Sequence, residues 1–369
     1  MAARRGNRRG MRIVIVGATG NAGTALLRRL RREPGLDLAG VVRRPPRQPT
    51  GPYDGVEWHA ADIGAGDGAL ETAFAGADAV VHLGWQIQPS HDERRLHRTN
   101  VLGTRAVVDA VVRAGVPALV YASSVGTYAP GPKDEPGVGE DWPHTGVAGS
   151  LYSRHKAAVE ALLDTAEAEH PRLRIVRMRP GLVFQRDAGA EIGRYFLGPF
   201  APVRLLRFGR IPVVPDHPAL RVQAVHADDL ADAYARAALG DARGAFNIAA
   251  GPVLTPTLAA RLFHGRTVGV PGAVLRAGAG LSWRLRLQPT DSGWVELGLR
   301  LPLMSTARAE RELGWRPAVP ADDALRELVA GLADRAHTGS APLTGSATAP
   351  GRLGGVLLRG RLPGSGDPY

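Results

Sequence analysis

Short apolar runs punctuate the first half of the chain at residues 13–16, 38–42, 79–83, 118–121 and 173–178, each bounded by turn residues and rich in Val and Ile. Runs without polar alternation read as strands buried on both faces of a parallel sheet. Between them, residues 22–32, 91–114 and 151–170 repeat their apolar positions with a helical period. Alternating strands and helices predict an α/β fold, a Rossmann-type doubly wound parallel sheet with helices on both faces. Residues 128–149, crowded with Pro and Gly, read as a loop. After Arg179-Pro180 the pattern loosens as far as residue 218, and one further sheet unit is expected from strands at 222–225 and 245–248 around a helix at 227–238. Helices at 306–313 and 321–333 close the periodic part.

This pattern predicts a dinucleotide-binding domain over 11–178, its sheet completed by about 222–248, and a smaller C-terminal substrate lobe from 179–221 and 249–333. Residues 1–10 read as a basic disordered arm, and 334–369, rich in Gly, Pro, Ser and Thr, as a disordered tail. No internal repeat is present.

Composition narrows the classes. With 369 residues the chain exceeds one average domain, and 44% hydrophobic with 22% charged residues is globular. No apolar run approaches the ~20 residues of a membrane-spanning helix, so a soluble protein is expected. The absence of cysteine excludes disulfides and thiolate chemistry and fits a cytoplasmic location. No His and carboxylate cluster has metal-ligand spacing, so no metal is expected. The net charge of +11 raises the question of nucleic acid, but Arg4, Arg5, Arg8, Arg9 and Arg12 supply five of those charges ahead of the predicted fold. They read as a solvated arm, and nucleic-acid binding is disfavoured. The four-residue apolar run at 13–16 is too short for an export signal, and Met11 is a candidate natural start.

Two motifs carry chemistry. Lys156 is one of only two lysines among 46 basic residues, and it stands four positions after Tyr152, on the same face of the helix predicted for 151–170. A cation beside a phenol favours phenolate, which suits a general acid or base. Gly17-Ala18-Thr19-Gly20-Asn21-Ala22-Gly23 follows a strand and opens a helix, the setting in which glycines admit a dinucleotide pyrophosphate to backbone amides. About twenty residues on, where NAD-binding chains place a carboxylate, this one reads Val41-Val42-Arg43-Arg44. Arg43 there favours NADP over NAD.

With these motifs and Ser124 in Tyr121-Ala122-Ser123-Ser124-Val125-Gly126-Thr127-Tyr128, the chain resembles the extended short-chain dehydrogenase/reductases, the NAD-dependent epimerase/dehydratase family, over about residues 11–333. Further matches follow in the family's order: Asp62-Ile63, Val81-His82-Leu83-Gly84, Asn100 to Thr104, Arg179-Pro180-Gly181, Val225 to Leu230 and Leu313 to Pro317. The resemblance implies that Ser124, Tyr152 and Lys156 are catalytic. It implies a cofactor site of Gly17, Thr19, Gly20, Asn21, Ala22, Gly23, Arg43, Asp62, Ile63, Leu83, Gly84, Asn100, Tyr152, Lys156, Pro180 and Gly181. It favours Ser124 over Ser123 as the catalytic serine, reads His155 as a bystander and Trp315 as packing, and implies a homodimer through the helices of 91–114 and 151–170.

Departures from the family pattern narrow the reaction. Val125-Gly126 replaces the Asp-Glu pair of sugar-nucleotide dehydratases, and Leu182 replaces the Asn that holds substrate phosphates in many nucleotide-sugar enzymes. Arg186, Arg194 and Arg221 remain as candidate anion contacts. Trp85, Gln86, Ile87 and Phe184 suggest an apolar substrate wall. The reading favoured is an oxidoreductase acting on a small or moderately apolar carbonyl or hydroxyl compound. The alternatives are a nucleotide-sugar epimerase with the same Ser/Tyr/Lys trio and a non-catalytic dinucleotide-sensing regulator.

Overall fold

This computed structural model describes residues 10–66, 68–87, 92–193, 206, 208–285, 290–334 and 336. Arg4, Arg5, Arg8, Arg9, His91, Arg194 and the predicted tail beyond 336 lie outside the described residues.

The first half alternates as its pattern predicts. Its elements are β1 (Met11–Val16), α1 (Asn21–Leu30), β2 (Leu36–Val42), β3 (Glu57–Ala60), α2 (Ala69–Phe74), β4 (Ala79–His82), α3 (Glu93–His97), α4 (Gly103–Arg113), β5 (Ala118–Ala122), α5 (Leu151–Glu169) and β6 (Arg174–Pro180). The second half adds β7 (Leu182–Phe184), α6 (Gly189–Ile192), β8 (Val213–Asp216), β9 (Val222–His226), α7 (Ala227–Leu239), β10 (Gly244–Ile248), β11 (Ala250–Leu254), α8 (Pro256–Leu262), β12 (Arg266–Gly269), α9 (Gly272–Arg284), α10 (Ser292–Arg300), α11 (Ala307–Glu312) and α12 (Ala321–Asp334).

Seven strands form one parallel sheet in the order β10-β6-β5-β4-β1-β2-β3. Ile13 and Ile15 join a core with α1 and α7 on one face, while Val14 and Val16 join a core with α4 and α5 on the other. Side-chain alternation along a strand buried on both sides produces that division. β1 pairs with β2 on one side and β4 on the other. The chain therefore reverses its winding there and leaves a crevice at the carboxyl ends of β1 and β4.

Three sequence expectations change. The run at 222–225 forms β9, which pairs with β7 and β11 in a separate three-stranded sheet and not with the main one; β10 alone completes that sheet. The helix expected over 91–114 is α3 and α4 joined by a π turn at Arg98–Leu102. Arg12 does not belong to a solvated arm: it lies in β1, and its guanidinium bonds Asp37 at 2.8 Å and Glu57 at 2.7 Å. Among the described residues no helix is long and apolar enough to cross a membrane.

Candidate active site

The glycine turn sits at the mouth of the crevice. Gly17 has φ +84°, and a Cβ there would stand 2.8 Å from the Gly84 nitrogen, so β1 and β4 close together only with glycine at this point. A Cβ on Gly23 would meet the Gly17 carbonyl oxygen at 2.4 Å, which packs the first turn of α1 against the loop. At Gly20 a Cβ would touch only the Gly17 oxygen, at 3.4 Å, and its open side faces the cavity. No side chain caps α1, so its first amides are unclaimed donors at a positive helix end. These residues fit the pyrophosphate of a dinucleotide.

The cavity behind the turn holds about 690 Å³. Gly17, Thr19, Gly20, Asn21, Ala22, Gly23, Arg43 and Arg44 line it, as do Leu83, Gly84, Pro180 and Gly181. Asp62, Ile63 and Asn100 do not. Asp62 is exposed and accepts a bond from the Gly64 amide at 2.9 Å, and Ile63 is a core side chain. The Asn100 amide group is spent on Gln86, accepting from its backbone nitrogen at 2.8 Å and donating to its oxygen at 3.0 Å. It positions the segment that follows β4.

α5 begins at Leu151 because the Ser150 hydroxyl accepts from the Ser153 amide, and its first turns present Tyr152 and Lys156 to the cavity. The Ser124 hydroxyl stands beside the Tyr152 phenol and accepts from the Gly126 amide at 3.0 Å. Ser123 turns the other way and donates to Glu160 at 2.5 Å. Ser124 is therefore the serine that faces Tyr152.

The expected effect of Lys156 on the phenol is not what the geometry produces. Its Nζ lies 5.9 Å from the Tyr152 ring centroid and donates instead to the Ala122 oxygen at 2.6 Å and the Tyr121 hydroxyl at 3.3 Å. Burial pushes the Tyr152 phenol up to about 12, with the neighbouring Ser124 hydroxyl opposing. Burial likewise draws Lys156 well below the usual ammonium range, with Glu160 opposing. In this arrangement the phenol holds its proton.

Beneath the pair lies a buried polar network. Burial raises the Glu160 carboxyl, but the bonds and charge of Arg179, with the Ser123 bond and Arg177, hold it well below the ordinary range. Arg179 donates to Glu160 from Nε at 2.9 Å and Nη2 at 3.0 Å, and from Nη1 to the Tyr128 hydroxyl at 3.0 Å. Tyr128 in turn donates to Asn247 Oδ1 at 2.6 Å. β5, β6, β10 and α5 thus fix the Ser123-Ser124 step together.

The cavity wall around Tyr152 is aromatic. Trp85 and Trp294 flank Tyr152, with ring centroids at 6.0 Å and 5.1 Å. Phe184, Leu182, Leu297 and Leu301 continue the wall, and Gln86 brings a buried Oε1 without a partner. Trp294 and Lys133, also on the wall, were not foreseen. Nothing local in the sequence marks Trp294, but Lys133 is the chain's other lysine, a signal that was available. Arg221 lines the cavity, whereas Arg186 is tied to Asp334 at 2.5 Å. His155 meets His97 edge to face, ring centroids 5.5 Å apart, and Trp315 is core, its Nε1 donating to the Asp229 backbone oxygen at 2.8 Å.

Comparison with known proteins agrees with the fold. An uncharacterised protein of Mycobacterium tuberculosis is 27% identical over 333 residues, covering 89% of this chain and 31% of that protein. The chain thus spans about a third of the length of that relative. Sterol-4-alpha-carboxylate 3-dehydrogenase (decarboxylating) of Saccharomyces cerevisiae is 28% identical over 182 residues, covering 47% of this chain and 51% of the yeast enzyme. The crystal structure of Thermus thermophilus UDP-glucose 4-epimerase with NAD shares the fold, with a TM-score of 0.64 and 21% identity over 87% of this chain and 99% of the other. The sequence model of the NAD dependent epimerase/dehydratase family matches residues 13–249, well over half of the chain. The chain belongs to that family.

Proposed function

We propose that this protein is an NAD(P)-dependent oxidoreductase acting on a carbonyl or hydroxyl group of a small or moderately apolar substrate, with Tyr152 as general acid or base. The observation that carries the reading is the Tyr152 phenol, beside the Ser124 hydroxyl and set between Trp85 and Trp294 on the cavity wall. A phenol raised to about 12 is protonated at neutral pH and so is poised to donate to a carbonyl oxygen. The Ser124 hydroxyl would hold that oxygen, and Lys156 would turn its ammonium to a ribose hydroxyl of the coenzyme. A bound nicotinamide dinucleotide supplies or accepts the hydride.

Arg43 and Arg44 on the cavity wall, with no carboxylate at the end of β2, favour NADP. Segments 179–221 and 249–333 would form the substrate lobe. The aromatic wall and the yeast relative, named for a sterol carboxylate, support an apolar substrate over a nucleotide sugar. Retention of Tyr152 and Lys156 argues for turnover over passive sensing. α4 and α5 would pair with a second copy as a four-helix bundle, and sedimentation at the monomer mass would contradict this. The deciding experiment screens ketones, alcohols and nucleotide sugars with both coenzymes. NADPH-dependent reduction of apolar ketones supports the reading, and turnover of a UDP- or dTDP-sugar alone would replace it with epimerisation.

A further inference from the structure

One of the two lysines belongs to the Tyr152 helix; the other, Lys133, stands on the wall of the same cavity. It comes from the Pro- and Gly-rich loop and is pinned in place. Its ammonium donates to the Gly298 oxygen at 2.8 Å and the Arg221 oxygen at 3.1 Å. An ammonium carries three hydrogens, so one is left over.

Arg221, immediately before β9, lines the same space. Its Nε is buried and has no hydrogen-bond partner. Among the described residues neither cation has a carboxylate partner, and neither bonds Glu191, the acidic side chain of the cavity wall. Burial, and then the charge of Arg221, lower the Lys133 ammonium to about 8. Two adjoining, partly buried cations with no anion between them are an unfavourable arrangement unless something else supplies the charge.

α10 relates this point to the chemistry. Trp294 packs on Tyr152 at 5.1 Å, and Gly298, one turn later, receives the Lys133 ammonium. One helical turn advances ~5.4 Å, so the cations lie about one turn beyond the aromatic wall that covers the phenol. Trp294, Leu297 and Leu301 line the same helical face of the cavity. A molecule spanning it meets a proton donor at one end, apolar walls between, and two cations at the other.

We propose that Lys133 and Arg221 hold a carboxylate of the substrate, so that Tyr152 acts on a carbonyl or hydroxyl group of an apolar carboxylic acid. This rests on the oxidoreductase reading above. The donors suit two oxygens: one remaining ammonium hydrogen and the unclaimed guanidinium edge match a carboxylate. A diphosphate has more oxygens and more charge than this pair neutralises.

The test is calorimetric titration of the NADP-loaded full chain with 3-cyclohexylpropanoate and with its amide, which have the same shape but differ in charge. The acid is expected to bind at least ~10-fold tighter than the amide. Lys133→Met and Arg221→Gln should each erase that preference while leaving amide binding and the melting temperature near wild type. Arg221→Gln keeps the carbonyl that Lys133 uses, so it reports even if Lys133→Met fails to fold. Absent acid binding, an amide that binds as well as the acid, or a preference that survives in the folded variants would overturn the proposal. So would UDP that binds tighter than the acid and is lost in both variants. The titration needs no turnover, so its failure is distinct from failure of the Tyr152 mechanism, which Tyr152→Phe kinetics report.

Discussion

The ammonium of Lys156 lies 3.5 Å from the centroid of the Trp85 ring. The buried Nε1 of that indole has no hydrogen-bond partner to hold it there. If Lys156 takes a coenzyme ribose hydroxyl as proposed, Trp85 has to swing aside from its ammonium. A buried cation–π contact is worth ~0.5–2 kcal/mol, so Trp85→Ala should tighten coenzyme binding by ~2- to 30-fold. Titration should shift tryptophan emission in the native protein and not in Trp85→Phe. An equal shift in both would show that the ring stays put.

Tyr152→Phe removes the proposed proton donor without emptying the cavity. Turnover should fall by ~10²–10⁴-fold with coenzyme binding retained. The raised phenol also sets the pH profile. Reduction needs the protonated form, which prevails below about 12, so its rate should be level across neutral pH. Oxidation needs phenolate, and its rate should climb as pH rises. A bell centred on neutrality in both directions would exclude Tyr152 as the titrating group.

Gly126 abuts the same ring. A Cβ there would stand 2.7 Å from Tyr152 Cε1, closer than real contacts allow. Gly126→Ala should therefore displace the phenol and cut kcat far more than it raises KM for coenzyme. Native kcat in this variant would mean that the ring has room to give.

Glu160 should dominate acid stability. Its folded value lies below the ordinary 4.5 of a free carboxyl, so the stability it contributes is complete above that pH and is lost as pH falls toward the folded value. Glu160→Gln strands Arg179 and Arg177 without their buried partner and should cost about 3–5 kcal/mol at neutral pH. Its unfolding free energy should also vary less between pH 5 and 3 than that of the native protein. Parallel pH curves would assign the acid sensitivity elsewhere.

Arg43→Asp should reverse the coenzyme preference, weakening NADP and improving NAD, because a carboxylate at the end of β2 repels the extra phosphate and accepts from a ribose hydroxyl. Dissociation constants for both coenzymes measure this. An unchanged ratio would remove Arg43 from the argument.

The parallel strands were legible because burial on both faces leaves continuous Val- and Ile-rich runs, as in β1 and β4. β3 was not, because Glu57-Trp58-His59-Ala60 is a half-exposed edge strand with no such run. The run of β9 was recognisable as a strand, but its partners were not, since an apolar strand looks the same in either sheet. Gly17 to Gly23, Ser124, Tyr152 and Lys156 could be found because each group is local in the chain. Trp294 and the Lys133–Arg221 pair depend on residues 88 to 165 positions apart meeting in space. The direction of the Tyr152 shift also escaped, since spacing gives neighbours but not depth of burial.

The chain of bonds from Asn247 through Tyr128, Arg179 and Glu160 to Ser123 spans more than a hundred residues. During synthesis, Ser124 and Tyr152 leave the ribosome long before Asn247 does. Until β10 docks, the Tyr128 hydroxyl lacks its acceptor and the guanidinium below the serines is incompletely anchored. The nascent protein consequently acquires its reactive geometry late, and fragments ending before this strand should emerge as coenzyme-competent but chemically silent intermediates.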